Sequence, residues 1–174
     1  MKYCVIDTER IKGNQIYLLS YQTYDEDFRL VESKTYQDIS IDLSNRKSPK
    51  TKVNALDSVT IKVNSFTELY HKIVPVIEDS FLIVFSRTDI GVLKQNCKDN
   101  GLQYTTVPFL DLQKILYDLS DNKKHKSNLK LYCKKNNIKY SPHIPESDCS
   151  AAFSLYQNLL QKYGNDYLTM YIDK

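Results

Sequence analysis

The chain opens on a short apolar run, Tyr3-Cys4-Val5-Ile6, that stops at Asp7, the pattern of a central strand. Gly13-Asn14 marks a turn, and residues 15–24 beyond it are rich in aromatic and branched side chains. After the acidic turn Asp25-Glu26-Asp27, residues 28–36 alternate at roughly period two. These segments predict three strands joined by hairpin turns. Residues 42–57 are polar, with Lys47, Pro49, Lys50 and Lys52, and read as a loop.

The second half changes period. Ser65 with Glu68 three residues on is a capping box that opens a helix through about Ile77. The continuous apolar run at 81–86 predicts a buried strand. A helix follows from about Asp89 to Asn100, closed by Gly101. Residues 105–110 form a weaker strand and 111–119 a short helix. Two more helices cover 127–136 and 147–163, the second turning Ala151, Ala152, Leu155, Leu159 and Leu160 inward. Strands first, then helix alternating with strand, predict an α/β fold: a mixed five-stranded sheet flanked by helices on both faces.

Composition narrows the class. With 174 residues, 41% hydrophobic and 26% charged, the chain can bury a core and is not of the disordered kind. Residues 1–174 read as one domain. No apolar run is long enough to span a bilayer, and the first residues turn acidic too soon for a signal peptide, so a cytoplasmic protein without a membrane partner is expected. Cys4, Cys97, Cys133 and Cys149 are too widely spaced for a zinc pair and read as small buried thiols.

The chemistry begins at Asp7 and Glu9. Residues i and i+2 of a strand point to one face, roughly 6–7 Å apart along the backbone. Two carboxylates so placed at the end of a buried strand repel each other and lose hydration, a cost that a divalent cation between them offsets. Asp89 follows the apolar run at 81–86, where a helix begins; alone, it reads as a first-turn acid favoured by the helix dipole. His143 stands five residues before Asp148, which opens the last long helix.

Jointly these residues resemble the DEDDh branch of the DnaQ-like exonucleases, whose fold is ribonuclease H-like. Tyr3-Cys4-Val5-Ile6-Asp7-Thr8-Glu9 is similar to the family's first motif, and the segment 82–93 with Asp89 to its second. His143 to Asp148 has the His-x4-Asp spacing of the third. Asn54-Ala55-Leu56-Asp57-Ser58-Val59-Thr60 and Ser127-Asn128-Leu129-Lys130-Leu131-Tyr132-Cys133 resemble two further family segments. The chain departs from the family's usual residues at Arg10-Ile11, Asp57, Val84-Phe85 and Thr88, positions that often line the pocket for the terminal nucleotide.

The resemblance implies a metal-dependent 3′–5′ exonuclease acting on single-stranded 3′ ends, DNA ahead of RNA. Asp7, Glu9, Asp89 and Asp148 would hold two divalent cations, Mg2+ or Mn2+, and His143 would be the general base. Such modules serve in proofreading or repair, alone, as homodimers or beside a replication or repair partner. Arg10 and Arg87 are candidate phosphate contacts. So is the acid-free stretch 123–139, with Lys123, Lys124, Lys126 and Lys130. Two other classes compete: a non-catalytic nucleic-acid-binding or scaffold protein on the same fold, and an α/β domain whose acids have no joint role.

Overall fold

The first strand lies inside the sheet, with three strands on either side. The computed structural model describes residues 2–11, 13–43, 60–120, 128–139, 141–142 and 144–173. Its strands are β1 (Tyr3–Arg10), β2 (Ile16–Tyr24), β3 (Leu30–Asp38), β4 (Thr60–Val63), β5 (Phe81–Val84), β6 (Phe109–Asp111) and β7 (Ile172–Asp173). They form one sheet in the order β4-β3-β2-β1-β5-β6-β7. The strand β1 runs antiparallel to β2 and parallel to β5, and β6 continues the parallel side. The carboxyl ends of β1, β5 and β6 therefore share one edge, with Ile6 beside Val84 and Val84 beside Asp111. In open α/β sheets that edge is where ligands bind.

Helices cover both faces, which is why β1 is apolar on both sides, with Cys4 and Val5 0% exposed. On one face α1 (Phe66–Glu78) and α2 (Arg87–Asp99) pack on Cys4, Ile6, Leu19, Leu82 and Val84. On the other, α3 (Leu112–Asp118), α4 (Leu129–Lys135), α5 (Pro145–Tyr163) and α6 (Asn165–Thr169) enclose Val5, Tyr24, Ile83 and Leu110. All four cysteines are buried and free, as their spacing implied. No helix among the described residues is long and apolar enough to cross a membrane.

Local signals account for most boundaries. The Ser65 Oγ accepts from the Glu68 N–H at 3.2 Å, while the Glu68 carboxylate accepts from the Asn64 N–H at 2.9 Å, closing the expected capping arrangement. The turn between β1 and β2 needs left-handed backbone, supplied by Gly13 (φ 89°) and Asn14 (φ 63°). Asn96 of α2 holds that turn, its Nδ2 donating to the Asn14 carbonyl at 2.8 Å and its Oδ1 accepting from the Ile16 N–H at 3.1 Å.

The five expected strands are present, and two short edge strands extend them. Of the four residues in β4 only Val63 is buried, and β7 has two residues, so neither carries a readable alternation. The expected strand at 105–110 contracts to β6, because Pro108 has no N–H to give a ladder. Residues 102–108 instead pack along the α1 and α2 face, and the Thr105 N–H donates to the Tyr70 hydroxyl at 2.7 Å. The helix expected from Asp89 begins at Arg87, because Ser86 caps it. The helix expected from Ser147 begins at Pro145, a residue suited to the first helical position. Ser127 and the segment 54–59 lie outside the described residues.

The middle of α5 docks through aromatic rings. Phe153 stacks on Tyr24 with centroids 3.5 Å apart, and Tyr3, Phe28 and Tyr156 surround it at 6.2, 6.0 and 5.8 Å. Phe153→Ala is expected to cost about 3–5 kcal/mol, read as a lower urea midpoint at an unchanged slope. A loss below about 1 kcal/mol would show that these rings do not anchor the helix.

Candidate active site

The period-two alternation of β1 sorts its last residues between two faces. Tyr3, Val5, Asp7 and Glu9 share the α5 side, and Cys4, Ile6 and Thr8 the α2 side. Asp148, in the first turn of α5, is 6% exposed and meets the first two acids from above. One carboxylate oxygen from each of Asp7, Glu9 and Asp148 lies within 4.8 Å of the others. Regular pairing with β2 shifts between Glu9 and Arg10, so β1 leaves the ladder just past the second acid.

Asp89 reaches the site from the opposite face. Ser86, two residues past the end of β5, caps α2 and puts Asp89 in its first turn, where the Asp89 N–H donates to the Ser86 carbonyl at 3.1 Å. The Thr8 hydroxyl donates to Asp89 Oδ1 at 2.7 Å. The residue between the two strand acids thus binds the acid on the neighbouring helix. Sequence reading treated Thr8 only as part of a motif; its role follows from alternation, which turns it away from Asp7 and Glu9 towards α2.

These groups are held where ionisation is costly. Burial pushes the Asp7 carboxyl well above the usual carboxylate range, and the charges of Asp89, Asp148 and Glu9 push it the same way. Arg10 opposes them. Asp89 is raised to about 6, chiefly by burial, while the Thr8 hydrogen bond and Arg10 hold it down. Beneath the acids the Cys149 thiol is fully buried, its Sγ 3.8 Å from the Val5 carbonyl and 3.7 Å from that of Ser20. Three oxygen donors gathered in so electronegative a place fit a hard divalent cation, which would remove the repulsion.

The remaining expected site residues divide. His143 lies outside the described residues, as do Lys123, Lys124 and Lys126. Arg10 is exposed at the mouth of the acidic cluster. Arg87 binds Asp173 of β7 at 2.9 Å, so meeting a phosphate would require that pair to open. Lys130 is exposed on α4.

No family model matches the sequence, and no curated protein does. Solved structures do. The chain is similar to a 3′-exonuclease described in "3'-end specific recognition of histone mRNA stem-loop by 3'-exonuclease", at 13% identity and TM-score 0.69, over 93% of this chain and 82% of that one. It is also similar to Escherichia coli exonuclease I in complex with a dT13 oligonucleotide, at 14% identity and TM-score 0.65, over 95% of this chain. It spans 43% of that exonuclease. The fold is ribonuclease H-like.

The raised carboxyls fix the sign of a pH effect. A carboxylate whose folded pKa exceeds its unfolded value of about 3.9 leaves the folded state binding more protons. The metal-free protein therefore loses stability as pH rises from about 4 through the folded pKa of Asp89, about 6. In chelator at pH 7, Asp89→Asn is expected to stabilise it by on the order of 1–3 kcal/mol, with Asp7→Asn acting in the same direction. Variants no more stable than the parent by thermal unfolding would refute that cost of ionisation.

Proposed function

We propose that this protein is a metal-dependent 3′–5′ exonuclease that hydrolyses phosphodiester bonds at single-stranded 3′ ends. The observation that carries this reading is the convergence of Asp7, Glu9 and Asp148 within 4.8 Å at the carboxyl end of β1, with Asp89 bonded to the intervening Thr8. The similarity to two exonuclease structures supports it through the fold.

In this reading Asp7, Glu9 and Asp148 hold one divalent cation, and Asp7 with Asp89 a second, Mg2+ or Mn2+. When bound, such cations supply charge stabilisation to both the attacking and the leaving oxygen of an in-line displacement. His143, five residues before Asp148 in the sequence, is the general base, its imidazole taking the proton of the attacking water. Thr8 ties the Asp89 carboxylate to the carboxyl end of β1 through its hydrogen bond. Arg10, exposed beside the acids, is the described cation best situated for a substrate phosphate, and Lys130 with Lys123, Lys124 and Lys126 would attract the strand without reading its sequence. One similar structure concerns an RNA stem-loop and the other contains a thymidine oligonucleotide, so single-stranded RNA belongs beside DNA among the substrates to be compared.

The test is degradation of single-stranded DNA and RNA carrying a 5′ label, in Mg2+, Mn2+ or chelator. Stepwise shortening from the 3′ end is expected, lost in chelator and in Asp7→Ala. Cleavage that survives either change would overturn the proposal, and binding without cleavage would favour a non-catalytic nucleic-acid-binding protein. Thr8→Val, which keeps the shape and removes the donor, is expected to lower kcat about tenfold, the equivalent of one lost charge-assisted hydrogen bond. Unchanged kcat would show that Asp89 holds its position without Thr8.

A further inference from the structure

The first turns of α5 meet the sheet through polar side chains as well as through the buried Cys149, Ala151 and Ala152. Register places Asp7 opposite Ser20, and Ser20 opposite Thr35, so the three side chains form a row on the α5 face. The Ser20 and Thr35 hydroxyls lie 2.5 Å apart. Thr35 in turn donates a short hydrogen bond to Glu146 Oε1. Thr35 has one hydroxyl hydrogen, and the carboxylate takes it, so Ser20 must be the donor to Thr35. The relay then has one direction, Ser20 to Thr35 to Glu146. Ser20 has no hydrogen left for its own neighbour Asp7, whose oxygens stay free of that donor.

A second set of bonds holds the same turn of helix. Gln22 Nε2 donates to the Glu146 carbonyl and to Ser33 Oγ, each at 3.2 Å. Gln22 Oε1 accepts from the Tyr24 hydroxyl at 2.6 Å, and Ser150 Oγ lies 2.9 Å from both Gln22 Oε1 and the Glu146 carbonyl. Glu146 is therefore tied through side chain and backbone to β2 and β3, two residues before Asp148. Apolar helix–sheet contacts allow small sliding; directional bonds to a buried row of hydroxyls do not.

We infer that Glu146, anchored by Thr35 and Gln22, is a positioning residue that sets the distance of Asp148 from Asp7 and Glu9 and thereby the affinity of this site for divalent cations. Glu146 acts through the helix and not as a ligand. The inference rests on the exonuclease reading only in taking Asp148 as a cation ligand.

The test is Mn2+ binding to the protein alone, read from the free-ion paramagnetic resonance signal, with thermal unfolding and exonuclease kinetics on the same variants. Thr35→Val and Glu146→Ala break the relay, whereas Thr35→Ser and Glu146→Gln keep a donor or acceptor in place. The breaking variants are expected to weaken Mn2+ binding about tenfold and to raise the Mn2+ concentration needed for activity, with KM for the oligonucleotide unchanged. The conservative variants are expected to stay within about twofold of the parent. A lower melting temperature with unaltered Mn2+ affinity in Thr35→Val would reduce the relay to a purely structural role and overturn the inference. So would Glu146→Gln behaving like Glu146→Ala, since the charge rather than the hydrogen bond would then matter. A parent protein that neither binds Mn2+ nor cleaves would sink the exonuclease reading and this inference together; a parent that does both, with variants indistinguishable from it, would sink the inference alone.

Discussion

Mutual repulsion among carboxylates with little access to water is the constraint around which the rest of the molecule is arranged. Asp7 alone at the end of an apolar strand would lose hydration; Glu9, Asp148 and Asp89 add like charge around it. In the metal-free chain Arg10 and the Thr8 hydrogen bond offset only part of that cost. The arrangement is held by interactions made elsewhere: a sheet covered on both faces, an aromatic cluster gripping α5, and two helix starts, that of α2 capped by Ser86 and that of α5 opened by Pro145, which deliver Asp89 and Asp148 in their first turns. Both of those acids sit near the positive end of a helix, which softens the repulsion without removing it.

Strand alternation lets neighbouring residues do different work. Asp7 and Glu9 share a face and converge with Asp148, while Thr8, pointing away, reaches across the sheet edge to Asp89. Two helices on opposite faces thereby each bring an acid to three consecutive residues of β1, and only Thr8 bonds to the one it meets. The sheet order makes this geometry available, since β1 lies beside β5 and the start of α2 falls next to its carboxyl end. Had β1 been an edge strand, one of the two helices would have lacked a neighbouring strand to bring it there.

What could be read from sequence was what lies in short-range pattern. The apolar run ending at Asp7, the Ser65–Glu68 cap and the Gly13-Asn14 turn each carry a local physical signal; the helix and the turn stand where it put them, while the first strand runs on past Asp7 to Arg10. Elements sustained by pairing alone were not legible: β4 has one buried residue, and β7 is a two-residue strand made by its antiparallel bonds to β6. The acids of the site were legible as a set only through their order along the chain, because alternation explains why Asp7 and Glu9 meet but not why Asp148 meets them. The relay through Ser20, Thr35 and Glu146 was invisible for the same reason. Hydroxyl residues in strands are ordinary, and only the register of β1, β2 and β3 shows that these form a row.

That row bears on why α5 adds polar anchors in its first turns and aromatic ones in its middle. A ring cluster such as Phe153 on Tyr24 supplies burial and strength but tolerates small displacement, since dispersion changes gradually with distance. A carboxylate accepting from a buried threonine, with its own carbonyl held by Gln22, has one good geometry. The stretch of the helix that only needs to stay attached is held by rings. The end that carries Asp148 is held by directional bonds, at the cost of burying polar groups that an apolar contact would not require. For a site that brings carboxylates together against their repulsion, a few tenths of an ångström at Asp148 change how well one cation satisfies all three, and hydrogen bonds resist such displacement better than rings do.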